Sequence, residues 1–483
     1  MDPFAQLARQ GAMIERLAAD SRRCAPGVAF FAYPGERADG RRHIPEAIAR
    51  GAAAVLWERA GFDWDPSWRA PNLAVPDLRH AAGALAHAFY GRPSDALWTC
   101  GVTGTNGKTT CSQWLAAALG AAGAKCGVIG TLGAGFPGAL VDSGNTTPDA
   151  LELHRCLAQM RREGASAVAM EVSSHGLQQG RVGGVAFDCA LFTNLSHDHL
   201  DYHGTMDAYA AAKARLFETE GLACAVLNLD DVFGAQLAAR LAARGVRTLG
   251  YSLVSAPATG EHLLASARAD GRVKVTSTWG EAETTLHALG RFNVSNALGV
   301  AGALIAYGLP LRDAVALLGS LPEVPGRMQR LGGTAAPLVV IDYAHTPDAL
   351  AQVLGALRPV AHERGGRLIV VFGAGGDRDR AKRAPMGEAA SRLADRVVLT
   401  SDNPRGEDPA AILREIEAGV GVDHDVEPDR ARAIQAAIAG AGAADVVLLA
   451  GKGHEATQEI AGVRTPFSDA EVARDALSRR GRR

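Results

Sequence analysis

A glycine-rich loop with a lysine is the strongest chemical signal in the sequence. It consists of Gly104, Thr105, Asn106, Gly107, Lys108, Thr109 and Thr110, between an apolar run and a helical pattern. Glycines let backbone N–H groups turn toward phosphate oxygens, and a helix N-terminus adds partial positive charge. In such a loop the lysine reaches the β/γ-phosphates, and the hydroxyl of the threonine that follows it binds Mg²⁺. The strict phosphate-loop spacing has glycine where this chain has Val102. A glycine-rich turn without a ligand is the alternative, and the loop alone predicts a nucleotide but no particular reaction.

Acidic and histidine side chains follow two later apolar runs. Glu171 ends the first run, where a carboxylate is placed to hold Mg²⁺ or to serve as a capping or surface group. The second run is followed within seven residues by His197, Asp198, His199, Asp201 and His203. This density predicts a metal or phosphate site, although the spacing is not that of a structural zinc site. Lys213, among alanines in a helical pattern, is by itself typical of a solvated surface.

Composition excludes several classes of function. The 483 residues include 50 Lys and Arg against 52 Asp and Glu, so bulk charge does not favour nucleic acid or anionic lipid. Seven cysteines without a C-x-x-C pair argue against a disulfide framework and for a reducing compartment. The N-terminus has no signal-peptide pattern, and the longest apolar run, Ala297 to Leu309, is shorter than the ~20 residues of a membrane helix. We expect a cytoplasmic protein without membrane insertion.

Pattern breaks divide the chain into three segments, 1–93, 94–325 and 326–483. The first has short apolar runs and a closing helical stretch. The second and third alternate apolar strands with helical stretches, which predicts α/β domains with parallel sheets. An antiparallel hairpin is expected at SARADGRVKVTSTWG. In the third segment, the polar motifs DYAHTP, GAGGDRDR, SDNPRGEDP and GKGHE follow the apolar runs, at the strand ends where such sheets bind ligands.

Several motifs together resemble the Mur ligases, the ATP-dependent amino-acid ligases of peptidoglycan precursor synthesis. They are GTNGKTT, EVSSHGL, FTNLSHDHLDYHG, the AAK of the next helix, GRFNVSNALGV, PGRMQR and DYAHTPD. With the flanking motifs, the resemblance extends from Asp20 to Glu455. It implies an α/β fold of three domains: an N-terminal UDP-substrate-binding domain, a central P-loop-type parallel-sheet domain for ATP and Mg²⁺, and a C-terminal Rossmann-like domain for the amino acid.

The motifs DSR, NTTPD and DNPR resemble the branch of this family that uses meso-2,6-diaminopimelate. The resemblance implies that the γ-carboxylate of UDP-N-acetylmuramoyl-L-Ala-D-Glu is phosphorylated by ATP and that the acyl phosphate is attacked by an amine of diaminopimelate. It implies small-molecule substrates, no nucleic acid and a monomer.

The resemblance also implies roles for individual residues. Lys108, Glu171, His199 and Lys213 carry catalysis, and Mg²⁺ is held by Thr109, Glu171, His199 and Lys213, the last as a carbamate formed with CO₂. The nucleotide site comprises the glycine-rich loop with Asn293, Asn296, Arg327, Asp342 and His345. Helix capping is the alternative for the two asparagines.

Two further sets belong to the other substrates. The UDP-substrate set is Ser21, Asn145, Thr146, Thr147, Ser173, Gln179 and Arg181, with turn capping as the alternative for Ser21. The diaminopimelate set is Arg378, Asp402, Asn403, Pro404, Arg405, Gly451 and Glu455. In it, Arg405 suits bidentate binding of the distal carboxylate and Glu455 suits the ammonium group.

Three other functions are weighed against this interpretation. A folylpolyglutamate synthetase would share the loop and the modified lysine, but the N-terminal segment and DNPR argue against it. A lysine-adding ligase has no use for Arg405. A non-catalytic nucleotide-binding module would not be expected to keep Lys108, Glu171, His199 and Lys213 together.

Overall fold

The computed structural model describes residues 2–36, 38–257, 259–268 and 270–480 and contains three sheets rich in parallel strands, with helices packed on them. The α/β class predicted from the sequence is confirmed.

The N-terminal sheet has four parallel strands in the order β1-β2-β3-β4. The central pair, β2 and β3, is buried along its whole length, which explains the unbroken apolar sequence of these strands. The strands are β1 (Arg16–Ala18), β2 (Val28–Ala32), β3 (Ala54–Glu58) and β4 (Asn72–Val75), and the helices are α1 (Pro3–Arg9), α2 (Ile44–Ala49) and α3 (Leu78–Phe89).

The second sheet has eleven strands in the order β15-β14-β13-β12-β11-β10-β5-β9-β6-β7-β8. Its parallel core runs from β13 to β6. Strand order reverses around β5, so the carboxyl ends of β5, β9 and β10 border one crevice. The strands are β5 (Trp98–Thr103), β6 (Cys126–Gly130), β7 (Gly133–Phe136), β8 (Ala139–Val141), β9 (Ala167–Glu171), β10 (Cys189–Phe192), β11 (Cys224–Asn228), β12 (Arg247–Ser252), β13 (Glu261–Ala267), β14 (Arg272–Ser277) and β15 (Gly280–Thr285).

Eight helices belong to this part of the chain. They are α4 (Lys108–Ala121), α5 (Ala150–Arg162), α6 (Ser174–Gln178), α7 (Leu200–His203), α8 (Met206–Ala214), α9 (Val232–Ala243), α10 (Arg291–Tyr307) and α11 (Leu311–Leu317). Helix α10 is apolar on nearly every side because it is buried against the sheet. A Cβ at Gly302 would lie 2.7 Å from Val226 Cγ1, so glycine permits this close packing. The expected hairpin is part of an antiparallel meander, β13-β14-β15, that extends the sheet.

The third sheet has the order β16-β17-β21-β18-β19-β20, with only β16 antiparallel. The four apolar runs of this segment form its inner strands, each buried for most or all of its length, whereas the short polar edge strands β16 and β20 were not predicted. The strands are β16 (Gln329–Gly332), β17 (Leu338–Asp342), β18 (Leu368–Phe372), β19 (Arg396–Leu399), β20 (His424–Val426) and β21 (Val446–Ala450), with a separate hairpin β22 (Thr457–Ile460) and β23 (Val463–Pro466). The helices are α12 (Pro347–Glu363), α13 (Arg383–Leu393), α14 (Pro409–Glu417), α15 (Arg430–Gly440) and α16 (Asp469–Arg480).

A buried ion pair joins the ends of two strands in this sheet. Arg430 donates to both carboxylate oxygens of Asp469 at 2.7 Å, and neither side chain is exposed. The same guanidinium donates to the carbonyl oxygens of Ser401 and Ala450. Ser401 lies two residues after β19 and Ala450 ends β21, so the pair fixes the starting points of the SDNPR and GKGHE segments.

Neither a membrane-spanning helix nor a disulfide is found in the part of the chain described above. No helix there is long and apolar enough to cross a membrane, and the run Ala297 to Leu309 begins inside α10. All seven cysteines are free and buried.

Replacing Arg430 with methionine is expected to lower the free energy of unfolding by about 3–5 kcal/mol, because it leaves the Asp469 carboxylate buried without its partner. The measurement is the urea-unfolding transition of the C-terminal sheet. The matched control is Arg432→Met on the same helix, since Arg432 pairs with Asp429 in solvent and such pairs contribute about 0–1 kcal/mol. Equal losses in the two variants would contradict the role given to the buried pair.

Candidate active site

The glycine-rich loop connects the end of β5 to the start of α4. Val102, at the position where the strict spacing has glycine, is buried inside β5 and pairs with Glu171 and Leu191 on the neighbouring strands. Position 102 therefore does not require glycine, because the turn begins only at Gly104 (φ +148°) and ends at Gly107 (φ +87°). A Cβ at either position would collide, with the Thr193 hydroxyl or with the Asn296 amide. The loop is held closely between β10 and α10.

Thr109 and Glu171 meet at the carboxyl ends of β5 and β9. The Thr109 hydroxyl donates to Glu171 Oε2 at 2.9 Å and accepts from Arg327 Nη2 at 3.0 Å. Glu171 also accepts from the Thr131 N–H (2.8 Å) and hydroxyl (3.0 Å). The carboxylate is thus oriented by its neighbours toward the loop. The sequence analysis missed Thr131, although it lies at the end of a recognised apolar run.

Lys213 is buried, with 1% of its surface exposed, and its Nζ donates to the Gly104 carbonyl at 2.8 Å. The same nitrogen lies 4.2 Å from the centre of the Tyr209 ring. Burial, with a further contribution from nearby Lys108, holds the pKa of Lys213 well below its usual value. The solvated-surface interpretation of this residue is therefore wrong. The neutral amine favoured here is the form that reacts with CO₂.

The five His and Asp residues after β10 do not converge on one point. Asp198 and His199 line the cavity, whereas His197 and Asp201 are exposed and His203 contacts the Ser174 hydroxyl. A left-handed turn at His199 (φ +54°) starts α7 and directs the later residues away. Among the described residues, no group of three or more His, Cys, Asp or Glu is arranged to hold a metal ion. Of the five residues, only Asp198 and His199 line the cavity, and the metal or phosphate site predicted for this segment stays a prediction.

The remaining lining comes from α10 and the third sheet. Asn296 packs against the loop, and the Asn293 amide donates to the Leu289 carbonyl, so neither side chain caps the start of α10. Arg327 stacks over Tyr343, with its Cζ 4.5 Å from the ring centre. Asp342 accepts from the N–H groups of Met328 and Ala344, and burial raises the pKa of this carboxyl.

One cavity of about 220 Å³ gathers most of the nucleotide and metal set. Its lining includes every residue of these sets except Gly104, whose carbonyl faces Lys213. The members are Thr105, Asn106, Gly107, Lys108, Thr109, Thr110, Glu171, His199, Lys213, Asn293, Asn296, Arg327, Asp342 and His345. His345 Nε2 and Lys382 Nζ, both from the third sheet's side, lie 4.0 and 3.8 Å from the carboxylate of Asp198.

The cavity fits a nucleotide polyphosphate with Mg²⁺. Asn106 Nδ2 and Arg327 Nε are buried without hydrogen-bond partners, and both residues line the cavity. Buried donors of this kind are costly unless a ligand acceptor satisfies them. Lys108, whose Nζ donates to the carbonyls of Gly104 and Thr105 at 2.8 Å, adds a cation beside the loop. Thr109 and Glu171 offer the hydroxyl and carboxylate oxygens that suit a hard cation, and His199 lines the same cavity.

The UDP-substrate set is only partly gathered. Thr146 and Ser173 line the cavity, and buried Thr147 donates to the Glu171 carbonyl. From there a hydrogen-bonded chain leads outward. Arg181 donates to the Thr147 carbonyl and to Gln179, and Gln179 donates to Glu36 on the loop after β2. Asn145 lies on the loop before Thr146 and outside the cavity lining, and Ser21 bonds Glu46 in the N-terminal part, apart from the cavity.

The diaminopimelate set lies together at the carboxyl ends of β18, β19 and β21. Asn403 donates to Glu455 Oε2 at 2.7 Å, and Asp402 approaches Gly451 so closely that a Cβ there would lie 2.5 Å from its carboxylate. Arg405 Nη1 donates to the Gly376 carbonyl at 2.8 Å. The members Arg378, Asp402, Asn403, Pro404, Arg405, Gly451 and Glu455 all belong to these three strand ends.

Sequence reasoning missed Lys452 in this cluster. Its side chain is fully buried, and its Nζ donates to Asn403 Oδ1 at 3.2 Å, Glu455 Oε2 at 2.9 Å and the Thr457 carbonyl at 2.8 Å. Lys452 thereby orients both polar groups. Its place inside the GKGHE motif was the available signal.

Comparison with known proteins agrees with this arrangement. Three family models match the chain: "Mur ligase family, catalytic domain" at residues 13–90, "Mur ligase middle domain" at 102–304 and "Mur ligase, glutamate ligase domain" at 326–453. A UDP-N-acetylmuramoyl-L-alanyl-D-glutamate–2,6-diaminopimelate ligase of Chromobacterium violaceum is 50% identical, covering 100% of this chain and 98% of its own. The enzyme of the same name from Pseudomonas aeruginosa is 51% identical, covering 98% and 96%.

Solved structures give the same result. A UDP-N-acetylmuramoyl-L-alanyl-D-glutamate–2,6-diaminopimelate ligase superimposes with a TM-score of 0.67 at 37% identity, covering 97% of this chain and 95% of its own. A MurF ligase of Thermotoga maritima in complex with ADP, at 20% identity, shares the fold with a TM-score of 0.65, covering 97% and 99%. Because relatives are 50–51% identical over nearly the whole chain and the three family models lie along it in order, this chain belongs to the Mur ligase family.

Proposed function

We propose that the protein is the ATP-dependent ligase that adds meso-2,6-diaminopimelate to the γ-carboxylate of D-Glu in UDP-N-acetylmuramoyl-L-Ala-D-Glu, in peptidoglycan precursor synthesis. The observation that carries the proposal is the position of Arg405, which lies beyond a strand end beside Arg378, Asn403 and Glu455. Relatives at about 50% identity bear the name of this activity.

The chemistry follows from the charges of the cavity. The substrate carboxylate attacks the γ-phosphate, which gives an acyl phosphate and ADP, and the amine then attacks the acyl carbon and releases phosphate. Two anions meet in the first step, so cations must offset their repulsion. Lys108, Arg327 and the loop N–H groups are placed for this, and Mg²⁺ held by Thr109, Glu171 and His199 would supply further positive charge.

A carbamate on Lys213 completes the proposed metal ligands. The amine is buried beside Lys108 and favoured in its neutral form, which supports reaction with CO₂. The carbamate offers anionic oxygen ligands to Mg²⁺, which an ammonium group cannot do.

Diaminopimelate differs from lysine by one carboxylate, and the proposed amino-acid site discriminates between them through that group. Arg405 presents a planar fork suited to bidentate binding of that group, and exposed Arg378 lies on the facing loop. Glu455, oriented by Asn403 and Lys452, is placed to take the ammonium group.

We also propose how the segments divide the work. Residues 1–93 would bind the UDP end, 94–325 would hold ATP and Mg²⁺, and 326–483 would bring the amino acid, in agreement with the order of the three matched family models. The Gln179–Glu36 contact supports a substrate path from the first segment to the cavity. We also propose a monomer, as the family resemblance implies, and a reducing cytoplasmic location, which the seven free cysteines support.

The specificity prediction concerns Arg405. Phosphate release with ATP, Mg²⁺ and UDP-N-acetylmuramoyl-L-Ala-D-Glu should require meso-diaminopimelate and be negligible with L-lysine. Arg405→Ala should raise the KM for diaminopimelate roughly 100-fold, because two charge-assisted hydrogen bonds are lost. Arg414→Ala is the control, since Arg414 is exposed on α14.

The outcomes separate the candidate functions. Equal wild-type rates with lysine would indicate the lysine-adding activity and remove the role of Arg405. Release with a folate substrate and glutamate would indicate a folylpolyglutamate synthetase. Phosphate release with none of these substrates would leave the non-catalytic nucleotide-binding module.

The Lys213 prediction uses arginine, a basic side chain that stays charged and cannot form a carbamate. Lys213→Arg should lower kcat by about 10²–10³-fold, as the loss of one electrostatic stabiliser does, because a guanidinium stays charged and forms no carbamate. Lys274→Arg, at an exposed strand position, should change nothing. Native mass spectrometry should find one CO₂ on the wild type and none on Lys213→Arg. Full activity of Lys213→Arg would contradict the proposal.

A further inference from the structure

The two loops that carry Arg378 and Arg405 are joined directly to each other. The Gly376 N–H donates to the Asn403 carbonyl at 2.9 Å, and Arg405 Nη1 donates to the Gly376 carbonyl at 2.8 Å. A Cβ at Gly376 would collide with the Pro404 carbonyl. Only glycine at this position permits the approach, so the two arginines are set by a common loop pair.

Both loops contain backbone conformations that need support. Asp377 (φ +53°) and Arg405 (φ +52°) are left-handed, which is unfavourable for residues other than glycine. Each is held by a side chain of the opposite loop: the Asp377 N–H donates to Glu407 Oε1 at 2.6 Å, and the Gly406 N–H donates to Asp377 Oδ2 at 3.0 Å. Glu407 therefore supports the backbone at Asp377, and the Asp377 carboxylate in turn supports the backbone that follows Arg405.

Glu407 is in turn fixed by a buried arginine. Arg383, the first residue of α13, has no exposed side-chain surface and donates to both Glu407 oxygens, at 3.0 and 2.8 Å. The same guanidinium donates to the Gly375 carbonyl at 3.2 Å and to Glu415 at 2.8 Å. Arg383 thus contacts both loops, through the Gly375 carbonyl of one and the Glu407 carboxylate of the other.

We propose that Arg383 and Glu407 are positioning residues for amino-acid selection: their bidentate pair holds the loops 375–378 and 404–407 together, so that Arg405 and Arg378 meet the distal carboxylate. Neither residue needs to touch a substrate. The inference rests on the proposed function, since it names what the arginines are held to bind. If the ion pair only stabilised the fold, its loss would change the KM values of all three substrates alike.

The test uses steady-state kinetics of Arg383→Lys and Glu407→Gln with each substrate varied in turn. Lysine keeps the charge but loses the planar fork, and glutamine keeps the shape but loses the charge. We expect the KM for diaminopimelate to rise about tenfold, the size of one lost charge-assisted hydrogen bond. The KM values for ATP and the UDP-dipeptide should not change, and the preference for diaminopimelate over lysine should fall. The double variant should resemble the single ones.

The matched control is Arg380→Lys. Arg380 also pairs with Glu415, but from an exposed position and without a bond to Glu407, so its kinetics should equal those of the wild type. If Arg383→Lys fails to fold in thermal unfolding, Glu407→Gln carries the test, because its side chain is isosteric.

Two results would overturn the inference: wild-type KM for diaminopimelate in both variants, or a parallel rise in the KM of all three substrates. Failure of the proposed function looks different. In that case the wild type itself releases no phosphate that depends on diaminopimelate, and the variants have no selectivity to lose.

Discussion

The cavity must keep its basic side chains from pairing with its own carboxylate. Lys108, Lys213 and Arg327 all border the cavity, and Glu171 is bound by neutral hydroxyl and N–H donors rather than by these basic side chains. Lys108 instead donates to the carbonyls of Gly104 and Thr105 in its own loop, and Lys213 donates to the same Gly104 carbonyl. These carbonyl dipoles hold the two nitrogens in place without neutralising the charge of Lys108, which leaves its field available for phosphate oxygens.

That requirement explains the close packing of the loop. Lys108 and Lys213 both donate to the carbonyl of Gly104, so the position of this carbonyl fixes the positions of both side-chain nitrogens. Thr193 on β10 and Asn296 on α10 approach the loop glycines so closely that no other residue fits at Gly104 or Gly107. A larger side chain at either glycine would therefore displace the cations as well as the backbone.

Sequence patterns predicted the apolar inner strands, the loop and its helix, because these depend on local periodicity and on short motifs. The short edge strands β16 and β20 escaped prediction because they are polar and gain their conformation from a neighbouring strand. The sequence pattern alone predicted that Lys213 lies on the surface, because a helix with alanine neighbours has the same pattern whether it is exposed or buried. Only the resemblance reversed that interpretation, and burial of the side chain agrees with it. Spacing also suggested one cluster of five ligands, but a single left-handed residue, His199, separates them.

The residues that support the proposed amino-acid site could not be predicted for a different reason. Arg430 pairs with Asp469, and Arg383 with Glu407, across 39 and 24 positions of sequence, and each residue looks like an ordinary charge on a helix or loop. A fully buried arginine is costly unless several acceptors surround it. Here the acceptors are a carboxylate and the carbonyls at the ends of strands or loops. These are the same segments that carry the recognition side chains. Burying the charge therefore requires those backbone segments to converge, and their convergence places Asn403, Arg405 and Glu455 at one site.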